Sequence, residues 1–167
     1  ERTNIQDYSL MGIQGRELKD LTVGVIGTGR IGRAVLQNLS GFGCRLLAHD
    51  LYENEEVTKS GVPYVTLDEM WRLADVITLH TPLTDENHHM INADAISKMK
   101  DGVMIINTAR GGLIDSEALI SGIESGKIGG AGLDVVENEF GLYYYDHKSD
   151  ILNNRELAVL RSFPNVT

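Results

Sequence analysis

The stretch Gly27-Thr28-Gly29-Arg30-Ile31-Gly32 decides how this chain folds. Before it, the apolar and β-branched run Leu21–Ile26 predicts a buried parallel strand. After it, apolar residues recur at the spacing of one helix face, namely at Ile31, Ala34, Val35, Leu39 and Phe42. The glycines therefore lie in a tight turn between a strand and a helix.

A turn of this kind predicts a site for a dinucleotide. Gly27 permits the tight turn, Gly29 lets the backbone approach a pyrophosphate, and Gly32 lets the helix pack close to the strand. The first N–H groups of the helix have no partner inside the helix, so they face the phosphates.

An acidic residue follows where the adenosine ribose of such a ligand would lie. The run Cys44–His49 predicts a second buried strand, and Asp50 ends it about 20 residues beyond the glycines. Its carboxylate would accept hydrogen bonds from both ribose hydroxyls and repel a 2′-phosphate, which favours NAD over NADP. The alternative is a glycine-rich turn followed by an unrelated loop aspartate; agreement of turn, strands, helix and acid favours the dinucleotide site.

Composition restricts the class of protein and its partners. The 167 residues suffice for one domain, and 42% of them are hydrophobic, which is enough for a packed core. The net charge of −9 and the lack of a basic patch argue against nucleic acid and anionic membranes as partners. No apolar run approaches the ~20 residues that span a bilayer. The single cysteine, Cys44, lies in a predicted buried strand, and the five histidines show no metal-ligand spacing.

Strands alternate with helices along the chain, which predicts an α/β fold of the Rossmann type: a doubly wound parallel sheet in three layers. We expect residues 21–167 to form this domain and residues 1–20 to be a connector packed on it. After a polar stretch at 53–60, extended segments are predicted at Val62–Val65, Val76–Leu79, Val103–Ile106 and Ile128–Leu133. Helices are predicted after the capping residues Thr66, Asn92 and Asp115, and over Leu157–Leu160.

Ligands of open parallel sheets bind beyond the carboxyl ends of the strands, so the residues there are candidates for chemistry. Arg110 directly follows an apolar strand and precedes two glycines. A guanidinium in that position is able to hold a carboxylate through two parallel hydrogen bonds. Position alone is equally compatible with a solvated arginine in a surface turn.

Two further motifs carry a family resemblance. The segments Asn107–Asp115 and Gly132–Glu139, together with the glycine motif, are similar to the D-isomer-specific 2-hydroxyacid dehydrogenases over about Gly12 to Thr167. The tail, in which Phe140 and Tyr143-Tyr144-Tyr145-Asp146 follow the second glutamate, resembles the D-lactate dehydrogenase branch. Phosphoglycerate-type members usually have proline after that glutamate.

The resemblance implies a role for each matching residue. Arg110 matches the arginine that holds the substrate carboxylate and keto oxygen, and Glu139 matches the glutamate that pairs with the catalytic histidine, which leaves Glu137 as a surface neighbour. Cofactor contacts are implied for Arg30 and Ile31 at the pyrophosphate, for Thr81, Pro82, Asn87, Thr108, Ala109 and Arg110, and for Asp134 beside the nicotinamide.

The family continues past Pro164-Asn165-Val166 into a proline–histidine motif that carries the proton donor, and none of the five histidines here occupies it. His80 follows a strand as a loop histidine, and His88 and His89 fall on a helix or turn surface. We therefore expect the NAD-binding half of a longer enzyme, inactive alone, without the substrate domain.

The resemblance implies reduction of a small 2-keto acid, most readily pyruvate, to the D-2-hydroxy acid with NADH. The alternatives are a non-catalytic NAD-dependent binding module of the corepressor type, and the same chemistry on a larger 2-hydroxy acid such as 2-hydroxyisocaproate, phenyllactate or glycerate. A homodimer and a cytoplasmic location are also expected.

Overall fold

The computed structural model describes residues 15–137 and 155–167. A 3-10 turn at Leu18–Asp20 leads into the sheet. Five strands follow, with bounds β1 Thr22–Ile26, β2 Arg45–His49, β3 Val76–Leu79, β4 Val103–Asn107 and β5 Ile128–Leu133. The helices are α1 Arg30–Ser40, α2 Glu55–Lys59, α3 Leu67–Leu73, α4 Ala93–Lys98, α5 Ser116–Glu124 and α6 Arg155–Leu160.

The five strands form one parallel sheet in the order β2-β1-β3-β4-β5. Single parallel bridges extend it on both sides, from Ala48 of β2 to Tyr64 and from Ala131 of β5 to Val166. The chain passes to one side of β1 with β2 and to the other side with β3. This reversal opens a crevice at the carboxyl ends of β1 and β3, where ligands of such sheets bind.

Helices cover both faces of the sheet, so the predicted three-layer α/β fold is confirmed. Leu36 of α1 and Val57 of α2 pack with Val23 and Val25 on one face. On the other face, a larger core joins β3 and β4 to α3, α4, α5 and α6; its fully buried members include Met70, Ile77, Ile105 and Leu113.

Helix capping follows the sequence closely. Thr66 and Glu69 form the expected capping box, in which the Thr66 hydroxyl accepts from the Glu69 N–H and the Glu69 carboxylate accepts from the Thr66 N–H. Asn92 and Asp115 cap α4 and α5 through their side-chain oxygens. Each cap satisfies an N–H that has no partner within its helix.

Several local predictions were wrong. The stripe proposed for α1 is only partly buried: Ile31 is 61% exposed and Phe42 57%, whereas Gly32 and Leu36 are buried. The polar stretch at 53–60 contains α2, whose start Asn54 caps and which buries only Val57. Cys44 precedes β2, half-buried, and its thiol donates to the Leu39 carbonyl at 3.6 Å.

Other differences concern bounds. β1 begins at Thr22 rather than at Leu21, and α4 ends at Lys98, with Met99 as a buried cap. The expected extended piece Val62–Val65 makes one bridge, at Tyr64.

The connector expected at residues 1–20 is described from Gly15 onward. Leu18 packs on the core beneath α1, and Arg16 forms an ion pair with Asp75 at 3.2 Å. The domain boundary at residue 20 stays a prediction.

The closeness of α1 to the turn before it predicts a steric effect. A Cβ on Gly32 would lie 1.8 Å from the Gly27 carbonyl oxygen, a backbone atom that cannot move aside easily. We expect Gly32→Ala to lower the free energy of unfolding by about 1–3 kcal/mol, as overpacking does. Urea denaturation followed by circular dichroism measures this change.

Gly29→Ser is the matched control. A Cβ on Gly29 meets no described atom within 4 Å, and its φ of −64° suits serine, a good N-cap residue. Equal destabilisation by the two substitutions would contradict the packing role of Gly32.

Candidate functional site

The glycine turn lies at the carboxyl end of β1 and is held by its neighbours. Gly27 has a φ of +93°, which favours glycine, and its N–H donates to the His49 carbonyl at 2.8 Å. A Cβ there would lie 2.6 Å from the backbone of His80. The turn is therefore wedged between the ends of β2 and β3, in the crevice where the strand order reverses.

The start of α1 is open. Gly29 is the N-cap residue and provides no side-chain cap, so the N–H groups of the first turn lack that partner. The space beside Gly29 is empty to 4 Å within the described part of the chain. These N–H groups and the positive end of the helix dipole together favour a phosphate at this position.

Asp50 lies beside the turn, as the sequence predicts, and it is bonded to it. Its Oδ2 accepts from the Thr28 N–H at 2.6 Å and from the Thr28 hydroxyl at 3.0 Å, and its Oδ1 accepts from the Tyr52 N–H at 3.2 Å. Burial alone would raise the pKa of this carboxyl, but these donors outweigh burial and hold the pKa below its ordinary value. Asp50 therefore carries a fixed negative charge next to the glycine turn.

A chain of hydrogen bonds orients that carboxylate. The Asn54 N–H donates to the Tyr64 hydroxyl at 2.8 Å, and the Tyr64 hydroxyl donates to the Thr28 hydroxyl at 2.8 Å. Thr28 is 2% exposed, and its hydroxyl in turn donates a hydrogen bond to Asp50 Oδ2. Sequence reasoning missed Thr28 and Tyr64, because Tyr64 lies 36 residues from its partner.

The candidate substrate arginine follows β4 on a tightly bonded turn. Asn107 is 1% exposed; its Nδ2 donates to the Arg110 carbonyl at 2.9 Å and its Oδ1 accepts from the Ala109 N–H at 3.0 Å. The Arg110 side chain is exposed and its Nη1 donates to the Ala109 carbonyl at 2.7 Å. The buried asparagine thus fixes the backbone from which an exposed guanidinium extends.

The other residues expected at the cofactor lie at the same edge of the sheet. Thr81 is half-buried and Pro82 exposed after β3, Thr108 is exposed and Ala109 half-buried after β4, and the Asp134 N–H donates to the Asn107 carbonyl at 3.0 Å. Arg30 and Ile31 lie exposed in the first turn of α1. The contacts of these residues with a cofactor stay predictions.

Asn87 has a clear structural role in addition. Its Nδ2 donates to the Pro82 carbonyl at 2.7 Å and its Oδ1 accepts from the Thr84 N–H at 2.8 Å. The amide thereby closes the loop that follows β3.

His80, His88 and His89, which the sequence analysis placed in loops and turns, lie near this edge together with His49 at the end of β2. His80 is half-buried, its Nε2 lies 2.9 Å from the Thr78 hydroxyl, and burial lowers the pKa of the ring, which is therefore neutral near pH 7. His88 and His89 lie in a turn, and His89 contacts Glu137. Glu137 is thus a half-buried partner of a histidine rather than a free surface residue. Glu139, the tyrosines at 143–145 and His147 lie outside the described residues.

Comparison with known proteins decides the family. The family profile described as D-isomer specific 2-hydroxyacid dehydrogenase, NAD binding domain, matches residues 2–167. This chain belongs to that family. The resemblance seen in the sequence is confirmed, and the chain is an NAD-binding domain. That NAD binds at the glycine turn stays a prediction.

Relatives within the family have different named activities. An aromatic 2-oxoacid reductase of Clostridium sporogenes is 52% identical over 99% of this chain and 50% of its own length. The structure of the pyruvate reductase of Chlamydomonas reinhardtii has a TM-score of 0.92 and 45% identity, covering 99% of this chain and 51% of that one. A D-lactate dehydrogenase of Aquifex aeolicus, solved with NAD and lactic acid, has a TM-score of 0.87 and 42% identity, covering 99% and 50%.

The chain therefore spans about half the length of the relatives it matches. Every helix within residues 15–137 and 155–167 is too short or too polar to cross a bilayer.

The fixed charge of Asp50 predicts discrimination between cofactors. NADPH would place a phosphate against this carboxylate, so we expect NADH to bind at least ~30-fold more tightly, about 2 kcal/mol. Asp50→Asn keeps an oxygen acceptor for Thr28 but removes the charge. The ratio of the Kd for NADPH to the Kd for NADH should therefore fall towards one. Calorimetric titration with each cofactor measures both constants.

Asp101→Asn serves as the control for charge alone. Asp101 precedes β4 at the opposite edge of the sheet, paired with Lys127 at 2.8 Å. Asp101→Asn should leave the ratio of the Kd values for NADPH and NADH unchanged. If Asp50→Asn also leaves this ratio unchanged, Asp50 does not lie at the ribose site.

Proposed function

We propose that the full-length protein containing this chain reduces a small 2-keto acid, with pyruvate as first candidate, to the D-2-hydroxy acid. The observation that carries this proposal is the exposed Arg110 side chain, on a turn fixed by buried Asn107 at the sheet edge where we expect NAD to bind. The names of the Chlamydomonas and Aquifex relatives support a three-carbon substrate.

In the proposed reaction, bound NADH supplies a hydride, with its two electrons, to the keto carbon. Arg110 holds the substrate carboxylate through paired hydrogen bonds and donates to the keto oxygen, which gains negative charge as the hydride arrives. A histidine of the longer chain adds a proton to that oxygen, so the products are the hydroxy acid and NAD+. Glu139 stabilises the protonated form of that histidine.

The turn after Arg110 contacts the segment that follows β5. A Cβ on Gly111 would lie 2.1 Å from the Val136 carbonyl oxygen, so the turn after Arg110 touches the segment that leads to residue 139. Only glycine permits this approach. The contact thus joins the residue that follows Arg110 to a residue three positions before Glu139 in the sequence.

An aromatic 2-keto acid is the second candidate substrate, because the Clostridium relative with that name is 52% identical. The full-length protein should be assayed with pyruvate and phenylpyruvate under equal NADH. A higher kcat/KM for phenylpyruvate than for pyruvate would make the aromatic 2-keto acid the substrate and leave the proposed reduction unchanged. Absence of reduction with any 2-keto acid, while NADH still binds, would favour the corepressor-type module.

The homodimer and the cytoplasmic location stay proposals that rest on the resemblance.

Substitution of Arg110 tests its role as substrate anchor. Arg110→Lys keeps the charge but loses the planar pair of donors, so we expect kcat/KM for the keto acid to fall. The fall corresponds to an increase of about 2–5 kcal/mol in the activation free energy. The Kd for NADH should change little, because the guanidinium contacts the substrate. Arg45→Lys, at the exposed start of β2, is the matched control. A loss confined to NADH binding would contradict the assignment.

The pH profile tests Glu139. The carboxylate favours the imidazolium of its histidine, so Glu139→Gln should lower the pKa of that histidine. The acid needed for reduction is then lost at lower pH, and the alkaline limb of kcat/KM should move to lower pH by about one unit or more. An unmoved alkaline limb would exclude Glu139 from proton transfer.

A further inference from the structure

Three side chains with metal-ligating atoms meet beside the Arg110 turn, outside the proposed dinucleotide site. His88 and His89 come from the loop between β3 and α4, and Glu137 follows β5. One ligating atom from each lies within 4.8 Å of the others. Within the described residues this is the one such group of three histidine, cysteine or acidic side chains. Glu137 lies 48 residues from His89, so spacing in the sequence gave no sign of it.

The distances are close to those of a metal site. Glu137 Oε1 lies 2.5 Å from His89 Nε2 and 3.9 Å from His88 Nε2. Ligands at ~2.0–2.2 Å from a tetrahedral ion are roughly 3.3–3.5 Å apart. A bound ion would therefore require Glu137 and His89 to separate by about 1 Å and His88 to approach. The His88 ring stacks on His89 with ring centroids 3.8 Å apart, and its side chain is 52% exposed, which leaves solvent space for the ring to turn.

The surroundings orient the two less exposed ligands. Glu137 Oε2 accepts from the Ser116 N–H at 3.4 Å, which leaves Oε1 directed at the imidazoles. Such outer contacts are what hold metal ligands in position. His89 has a φ of +52°, the one positive value among the described non-glycine residues, and its N–H donates to the Gly112 carbonyl at 2.8 Å. Strained backbone of this kind concentrates at functional sites.

We propose that His88, His89 and Glu137 bind one divalent transition-metal ion, with zinc as the preferred ion. Two imidazole nitrogens and one carboxylate oxygen suit zinc, nickel or cobalt, whereas magnesium and calcium prefer oxygen ligands alone. Water completes the coordination, because the half-exposed His88 leaves the outer side of the cluster open to solvent. The proposal is independent of the proposed reduction of 2-keto acids.

Bound metal would connect two segments near the Arg110 turn, the loop after β3 and the segment after β5. Glu137 also joins the second segment to the start of α5, because it accepts from the Ser116 N–H. A ligand that binds only the folded protein stabilises it. Zinc should therefore raise the Tm of the wild-type protein, and a chelator should reverse the rise.

The experiment is calorimetric titration of full-length protein, without a histidine tag and in a non-chelating buffer, with ZnCl2. We expect a site with a micromolar Kd that weakens at least tenfold in His88→Gln, whose exposed side chain makes a folding defect improbable as a cause. His49→Gln is the control, because His49 lies at the end of β2 with its Nδ1 2.9 Å from the Val65 carbonyl oxygen. It should leave the site intact.

Two further readouts keep the test decisive. Affinity should fall as pH is lowered, because zinc binds neutral imidazole. Cobalt should give the intense visible absorption of a four-coordinate ion in wild type and lose it in Glu137→Gln. Binding that is unchanged in His88→Gln, or no binding below millimolar zinc, would overturn the proposal and leave His89 and Glu137 as a hydrogen-bonded pair only.

Discussion

The contact between α1 and the turn that precedes it is the constraint on which the site depends. Gly32 lies so close to the Gly27 carbonyl that no side chain fits between them. This contact brings the first turn of α1 over the end of β1, while the left-handed backbone of Gly27 fits the turn against His80 at the end of β3. Helix, turn and two strands therefore meet at one point, where the first turn of α1 has no side-chain cap from Gly29. We expect the phosphates to bind there through backbone N–H groups and the helix dipole.

Hydrogen bonds from buried polar residues position the remaining groups at this edge. Thr28 joins the turn to Asp50, and Tyr64 supports Thr28 from the far side of β2. Asn107 fixes the turn that carries Arg110, because its side-chain amide bonds to the backbone of Ala109 and Arg110. Buried polar groups such as these must find partners, since an unpaired one costs about 1–3 kcal/mol. These hydrogen bonds hold the Asp50 carboxylate against the glycine turn and fix the backbone that carries Arg110.

Signals between residues close in the sequence predicted the fold well. Contacts between residues far apart in the sequence, and elements without apolar periodicity, were missed. The capping box of Thr66 and Glu69 spans four residues, so the sequence alone predicts it. α2 was missed because it buries only Val57 and shows no apolar periodicity. Ile31 and Phe42 continue the apolar spacing of α1 but stay exposed, since periodicity does not show where the covering layer ends. The partners of Asp50 and Glu137 come from other segments, so only the folded chain reveals Tyr64 and His89.

Backbone NMR during titration of the 15N-labelled protein with NADH tests the central claim most directly. The claim is that the dinucleotide binds with its pyrophosphate at the start of α1 and its adenosine ribose at Asp50. The largest amide shifts should then occur at residues 28–32 and 50–52. Shifts confined to the cleft between α1 and α2, which Gln37 and Val57 line, with residues 28–32 unmoved, would contradict it.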